Sequence, residues 1–162
     1  MHAKSPQAAI SDEQVEALMS ASKALAGLAV LSLSEVNDRL TLIQFRALVL
    51  LTDAGPLKGV QLARGLGVSC SSVTRLCDRL VLDGLIRRNP NPADRREVLL
   101  TPSQKAESLV EQVMDRRRRD LRRILSLLQP ADRIPVIAAV EKPAHGAGWI
   151  HGDQILVEWP MA

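Results

Sequence analysis

Residues 62–88 read LARGLGVSCSSVTRLCDRLVLDGLIRR, and most of the fold turns on how this stretch is divided. Leu62, Ala63 and Leu66 fall on one side of a short helix expected over Val60–Leu66. Gly67 supplies the turn, and Ser69 is placed to cap a second helix that reaches Leu82 or Asp83. Gly84 then stops it, since a residue without a Cβ ends a helix at no steric cost. At about 100° per residue, Val73, Leu76, Cys77 and Leu80 share one face. Ser71, Thr74, Arg75, Asp78 and Arg79 share the other, with Ser72 at the edge.

Outward from this pair the chain keeps punctuating itself. Leu85–Arg88 and Glu97–Leu100 read as two strands, joined by a loop that Pro and Asn mark as a hairpin connection. Thr101-Pro-Ser-Gln104 has the form of a capping box with Pro102 at the first helical position, opening a long helix to about Leu128. Upstream, Ser11-Asp-Glu-Gln14 opens a helix expected over Asp12–Asp38. Thr41-Leu-Ile-Gln44 opens another over Leu42–Thr52, ended by the turn Asp53–Pro56. Four helices, two strands and a long helix describe a mainly α chain. Two helices joined by a tight glycine turn and followed by a two-stranded wing form a winged helix-turn-helix.

Composition narrows the function. Of 162 residues, 46% are apolar and 24% charged, the ordinary balance of a globular protein of one domain. Phe45, Trp149 and Trp159 are the sole aromatics, which argues against modules that stack bases on surface rings. The net charge of +3 mildly favours anionic partners. MHAKSPQ at the N-terminus lacks the apolar core of a signal peptide. The apolar run Ala24–Leu33 is too short to span a bilayer, so no membrane partner and a cytoplasmic location are expected. Cys70 and Cys77, seven apart on one helix, lie about 10.5 Å apart and cannot bridge within it. His2, His145 and His151 lack ligand partners at zinc spacing, so neither a metal nor another cofactor is expected. No catalytic constellation suggests an enzyme.

The outward face of the second helix has the chemistry of a DNA reader. Short Ser69, Ser71, Ser72 and Thr74 allow close approach, and Arg75 and Arg79 follow; Arg pairs bidentately with guanine in a major groove. The loop NPADRRE, residues 91–97, sharpens this. A wing beside the reading helix reaches the neighbouring minor groove, which is narrow and negative over A·T-rich DNA and accepts inserted Arg. A solvated loop needs no particular charges; a minor-groove finger needs Arg95 or Arg96 at its apex and an acid, Asp94, to hold it.

The runs LTLIQFRALVLL (40–51), LARGLGVSCSSVTRLCDRLVLDGLIRR and NPADRREVLLTP (91–102) together resemble the MarR family of bacterial transcription regulators, over roughly Leu18–Arg133. The resemblance implies a homodimer on double-stranded DNA with a pseudo-palindromic operator. It implies Arg96 in the minor groove with Asp94 bracing it, and a repressor released by a small aromatic or phenolic effector bound between dimer layer and head. Leu25, Leu28, Leu33, Phe45 and Leu48 would line such a pocket, although core packing accounts for each equally well. Alternative readings are a redox-responsive regulator acting through Cys70, or a winged helix used for protein contact.

The chain divides accordingly. Residues 1–40 hold an N-terminal dimerisation helix, 41–101 the winged head, 102–142 the C-terminal dimerisation helices, and 143–162 a tail that resembles nothing identifiable. On the helix from Pro102, Val110, Val113, Met114, Leu121, Ile124, Leu125 and Leu128 repeat at near-heptad spacing, and a second copy is the natural cover for them. Within DRRRRDLRR (115–123), Arg116, Arg119 and Arg123 read as a solvated face, whereas Arg117 is expected to pair with an acid on the first helix or the partner. With the tail, two further features depart from the family pattern: Gln104 stands where Gly is usual, and Pro135 is expected to interrupt the last helix.

Overall fold

The computed structural model describes residues 10–146; the N-terminal stretch, Trp149, His151, Trp159 and the tail beyond Gly146 lie outside them. The elements in order are α1 (Asp12–Ser34), α2 (Leu42–Ala54), β1 (Leu57–Lys58), α3 (Gly59–Leu66), α4 (Cys70–Leu82), β2 (Ile86–Pro90), β3 (Val98–Pro102), α5 (Gln104–Ser126) and α6 (Pro130–Gly146). The fold is mostly helical with one small antiparallel sheet of order β1-β3-β2.

Two of the three expected capping boxes form. Ser11 Oγ accepts from the Gln14 amide at 3.3 Å while Gln14 Oε1 accepts from Ser11 N. Thr41 and Gln44 repeat the exchange. The third does not form, because β3 continues through Thr101 and Pro102, with Ile86 opposite Pro102 and Arg87 opposite Thr101. Ser103 caps α5 instead, accepting from the Ala106 amide at 3.2 Å, and donates to the Gly84 carbonyl at 2.8 Å. Ser103 is buried, so Ser103→Ala removes a cap and strands a carbonyl. It is expected to lower the unfolding free energy by about 2 kcal/mol, read from urea denaturation; an unchanged midpoint would contradict the double role.

The first helix ends four residues earlier than its periodicity suggests. Asn37 Oδ1 accepts from the Arg39 amide, an Asx turn that competes with helical bonding. Pro135, expected to break the last helix, lies inside continuous α6. The bond it forgoes would go to the Ala131 carbonyl, and Ala131 is exposed, so water can satisfy that group. Arg133 ties α6 back to α5 by donating to the Leu125 and Leu128 carbonyls.

A single core joins the head to the long helices. Leu33 from α1, Phe45, Leu48 and Leu51 from α2, Leu80 from α4 and Val113 from α5 all belong to it. Above that junction α1 is bare: of its 23 residues only Ser32 and Leu33 are buried. Leu18 is 72% exposed and Leu25 49%. The helix carries an 18-residue window of mean hydropathy 1.5, so by length and composition alone it is long enough to cross a membrane. That corrects the length read from Ala24–Leu33 alone, and length by itself says nothing of location. Leu127, the C-cap of α5, and Ile134 of α6 are likewise strongly exposed.

Candidate nucleic-acid interface

Helices α3 and α4 cross as their sequence pattern requires. Leu62, Ala63 and Leu66 meet Val73, Cys77 and Leu80, all buried. Both ends of the crossing are closed by left-handed glycines. Gly67 (φ 68°) and Gly84 (φ 70°) let the chain turn back on the helix that precedes each. After α4, Gly84 N bonds the Val81 carbonyl and Leu85 N the Leu80 carbonyl, the paired bonds of a Schellman stop.

The outward face of α4 carries the expected side chains. Ser69 caps the helix, accepting from Ser72 N, and its hydroxyl lies 3.0 Å from that of Ser71 and 2.9 Å from that of Ser72. Thr74 is exposed and its hydroxyl donates to the Cys70 carbonyl. Arg75 is exposed, and Arg79 is paired with Asp83 at 3.2 Å. Cys70 is exposed and Cys77 buried, both as free thiols. Burial, opposed in part by Arg88, raises the Cys77 pKa, which keeps that thiol protonated and inert.

The wing loop is built differently from a simple Asp–Arg pair. Asp94 Oδ1 accepts from the backbone amide of Arg96 at 3.0 Å, so the brace fixes the main chain and leaves both Arg95 and Arg96 guanidinium groups in solvent. Glu97 lies outside β3 and closes the loop. Its amide donates to the Asp94 carbonyl and its own carbonyl accepts from Asn91 N, both at 2.9 Å. Its carboxylate accepts from Lys58 Nζ at 2.6 Å and Asn91 Nδ2 at 2.8 Å. These hydrogen bonds, Lys58 first, hold the Glu97 pKa below the usual carboxylate range. On the other strand Arg88 meets Asp78 of α4 at 2.7 Å. Sequence reading missed both ion pairs, because their partners come together only after the sheet has formed its register.

The five residues expected to line an effector pocket are scattered. Leu33, Phe45 and Leu48 are core, Leu28 is half-buried and Leu25 projects outward. None of them lines the cleft of about 480 Å³ between α2 and α5, which Thr52, Asp53, Glu107, Glu111, Met114 and Arg118 border. Arg117 lies at the same junction and meets no acid among the described residues. It donates to Ser32 Oγ and the Ala29 carbonyl, each at 3.4 Å, and sits 6.0 Å from the centre of the Phe45 ring. Burial lowers its pKa. Arg116, expected in solvent, pairs with Glu35 and Asp120 at 3.0 Å each.

This head agrees with known proteins. The MarR family model matches residues 40–98. The multiple antibiotic resistance protein MarR of Salmonella typhimurium is 34% identical over 98 residues, 60% of this chain and 68% of that protein. The chain belongs to the MarR family. The crystal structure of RV1404 from Mycobacterium tuberculosis superposes with a TM-score of 0.79 at 35% identity, covering 86% of this chain and 97% of that one. BpsR of Bordetella bronchiseptica, described by the regulation of its DNA binding by 6-hydroxynicotinic acid, matches at a TM-score of 0.58 and 25% identity, covering 84% of this chain and 96% of that one. As a MarR family member this chain is a DNA-binding transcription regulator and not an enzyme.

Proposed function

We propose that the protein is a homodimeric, cytoplasmic repressor that reads a pseudo-palindromic operator and releases it when a small molecule binds. The observation that carries the dimer is the bare apolar length of α1 together with exposed Leu127 and Ile134. Water-exposed apolar surface on this scale marks an interface, and a two-fold pair would match a two-fold operator. Residues 1–40 and 102–142 then form the dimer layer and 41–101 the reading head. In that head Ser69, Ser71, Ser72 and Thr74 bring α4 close to the groove floor, Arg75 and Arg79 meet bases and phosphates, and Arg95 and Arg96 reach the minor groove on the brace made by Asp94.

Effector release draws support from the relative regulated by 6-hydroxynicotinic acid and from the cleft between α2 and α5. A ligand acts there only by binding the DNA-competent and incompetent states unequally.

The test joins sedimentation to DNA binding on an inverted repeat taken from the region flanking the gene. A dimer whose affinity falls steeply with salt is expected; a monomer, or salt-insensitive binding, would overturn the reading. Arg75→Ala is expected to relax preference at one base pair per half-site by about 1–3 kcal/mol. Identical selection profiles for variant and parent would remove Arg75 from the reading face.

A further inference from the structure

Loop residues 91–97 lie beyond the β2–β3 ladder, whose last pair is Pro90 with Val98. The apex is therefore aimed by other bonds; beyond the local turns at Asn91–Ala93 and Asp94–Arg96, they converge on Glu97. Its backbone joins Asn91 at the loop base and Asp94 at the apex, and its carboxylate joins Asn91 and Lys58. Lys58 is a residue of the head: it lies in β1 and forms the N-cap position of α3, where its amide donates to Gln61 Oε1 at 2.8 Å. One carboxylate thus links the loop to the start of the helix that supports α4. On the opposite strand Arg88–Asp78 links the wing to α4 directly.

We infer that Lys58 and Glu97 are positioning residues that set where the wing arginines lie relative to the reading helix, and so determine how strongly the protein distinguishes A·T from G·C beside its main contacts. The inference rests on the proposed entry of Arg96 into the minor groove. The Lys58 and Glu97 side chains are 42% and 36% exposed, and an exposed pair adds little to global stability. Its effect is on aim. A minor groove about 6 Å wide leaves little room for an apex that swings.

The sign of the effect separates positioning from simple electrostatics. Removing a carboxylate near DNA reduces repulsion of the phosphates, so charge alone would make Glu97→Gln bind more tightly. Positioning demands the opposite. Gln offers a single acceptor oxygen where Lys58 and Asn91 now use two, and it carries no charge to hold the ammonium.

The experiment compares parent, Glu97→Gln, the charge swap Lys58→Glu with Glu97→Lys, and Arg96→Ala. Each is titrated with two operators that differ only in A·T or G·C under the wing. Glu97→Gln is expected to bind the A·T operator about three- to fivefold more weakly and to lose most of the preference between operators. Its melting temperature should stay near that of the parent, and its guanine protection in the major groove should be retained. The swap keeps the net charge and is expected to restore the preference. If Arg96→Ala loses the preference while Glu97→Gln keeps it, or binds more tightly, the inference fails and the wing reading stands. If the swap does not restore it, the Lys58–Glu97 link is not what aims the loop, and the inference again fails. If Arg96→Ala itself keeps both affinity and preference, the wing reading falls and takes the inference with it.

Discussion

Arg96→Ala is expected to weaken operator binding by about 1–3 kcal/mol, roughly 5- to 150-fold, while the sedimentation profile stays that of the parent. The two parts of the prediction follow from different features. The side chain is exposed at the wing apex, and the bond that fixes its position belongs to its backbone amide, donated to Asp94. Truncation at Cβ leaves that bond, the loop and the distant long helices untouched. What disappears is a guanidinium available to a narrow, negative groove. The loss should be greatest on operators with A·T pairs beneath the wing. Equal mobility-shift affinities for variant and parent would refute it.

Phe45→Ala is expected to cost about 3–5 kcal/mol of folding free energy, with Tm falling on the order of 10 °C. Phe45 is buried at the point where α2 meets α1 and α5, within the single core of the molecule. The ring also faces Arg117, a cation partly withdrawn from water with no carboxylate among its described partners. Removing the ring therefore deletes packing and a favourable neighbour for that charge together. A loss below about 1 kcal/mol by urea denaturation would mean that the junction is not packed around this ring.

Much of the head was readable because its signals are local. Gly67, Ser69 and Gly84 each dictate backbone geometry within a few residues, and the period of Val73, Cys77 and Leu80 determines which side of α4 is buried. Errors arose where a distant strand decided a local choice. Thr101 and Ser103 are both competent caps, and pairing with β2 drew Thr101 and Pro102 into the sheet. The two-residue β1 has no period to detect; it exists because Leu57 meets Leu100. Lys58 and Glu97 are 39 residues apart, so nothing in either neighbourhood announces the other. Arg117 faces the first helix, as its place on α5 implies, but among the described residues it is Ser32 and the Ala29 carbonyl, not an acid of α1, that accept from it. The wing motif marks Asp94 as the brace of Arg96, and nothing in the pattern says that it grips the backbone and not the guanidinium.

Ser103 has a consequence beyond holding two groups in place. Its hydroxyl belongs at once to the first turn of α5 and, through the Gly84 carbonyl, to the end of α4. The two helices therefore share a fulcrum with almost no slack, and a tilt of α5 must either break a buried bond or swing α4 with it. In a paired molecule the separation of the two reading helices would then be geared to the angle of α5. A small rotation in the layer far from DNA would change the span between half-sites without unfolding anything.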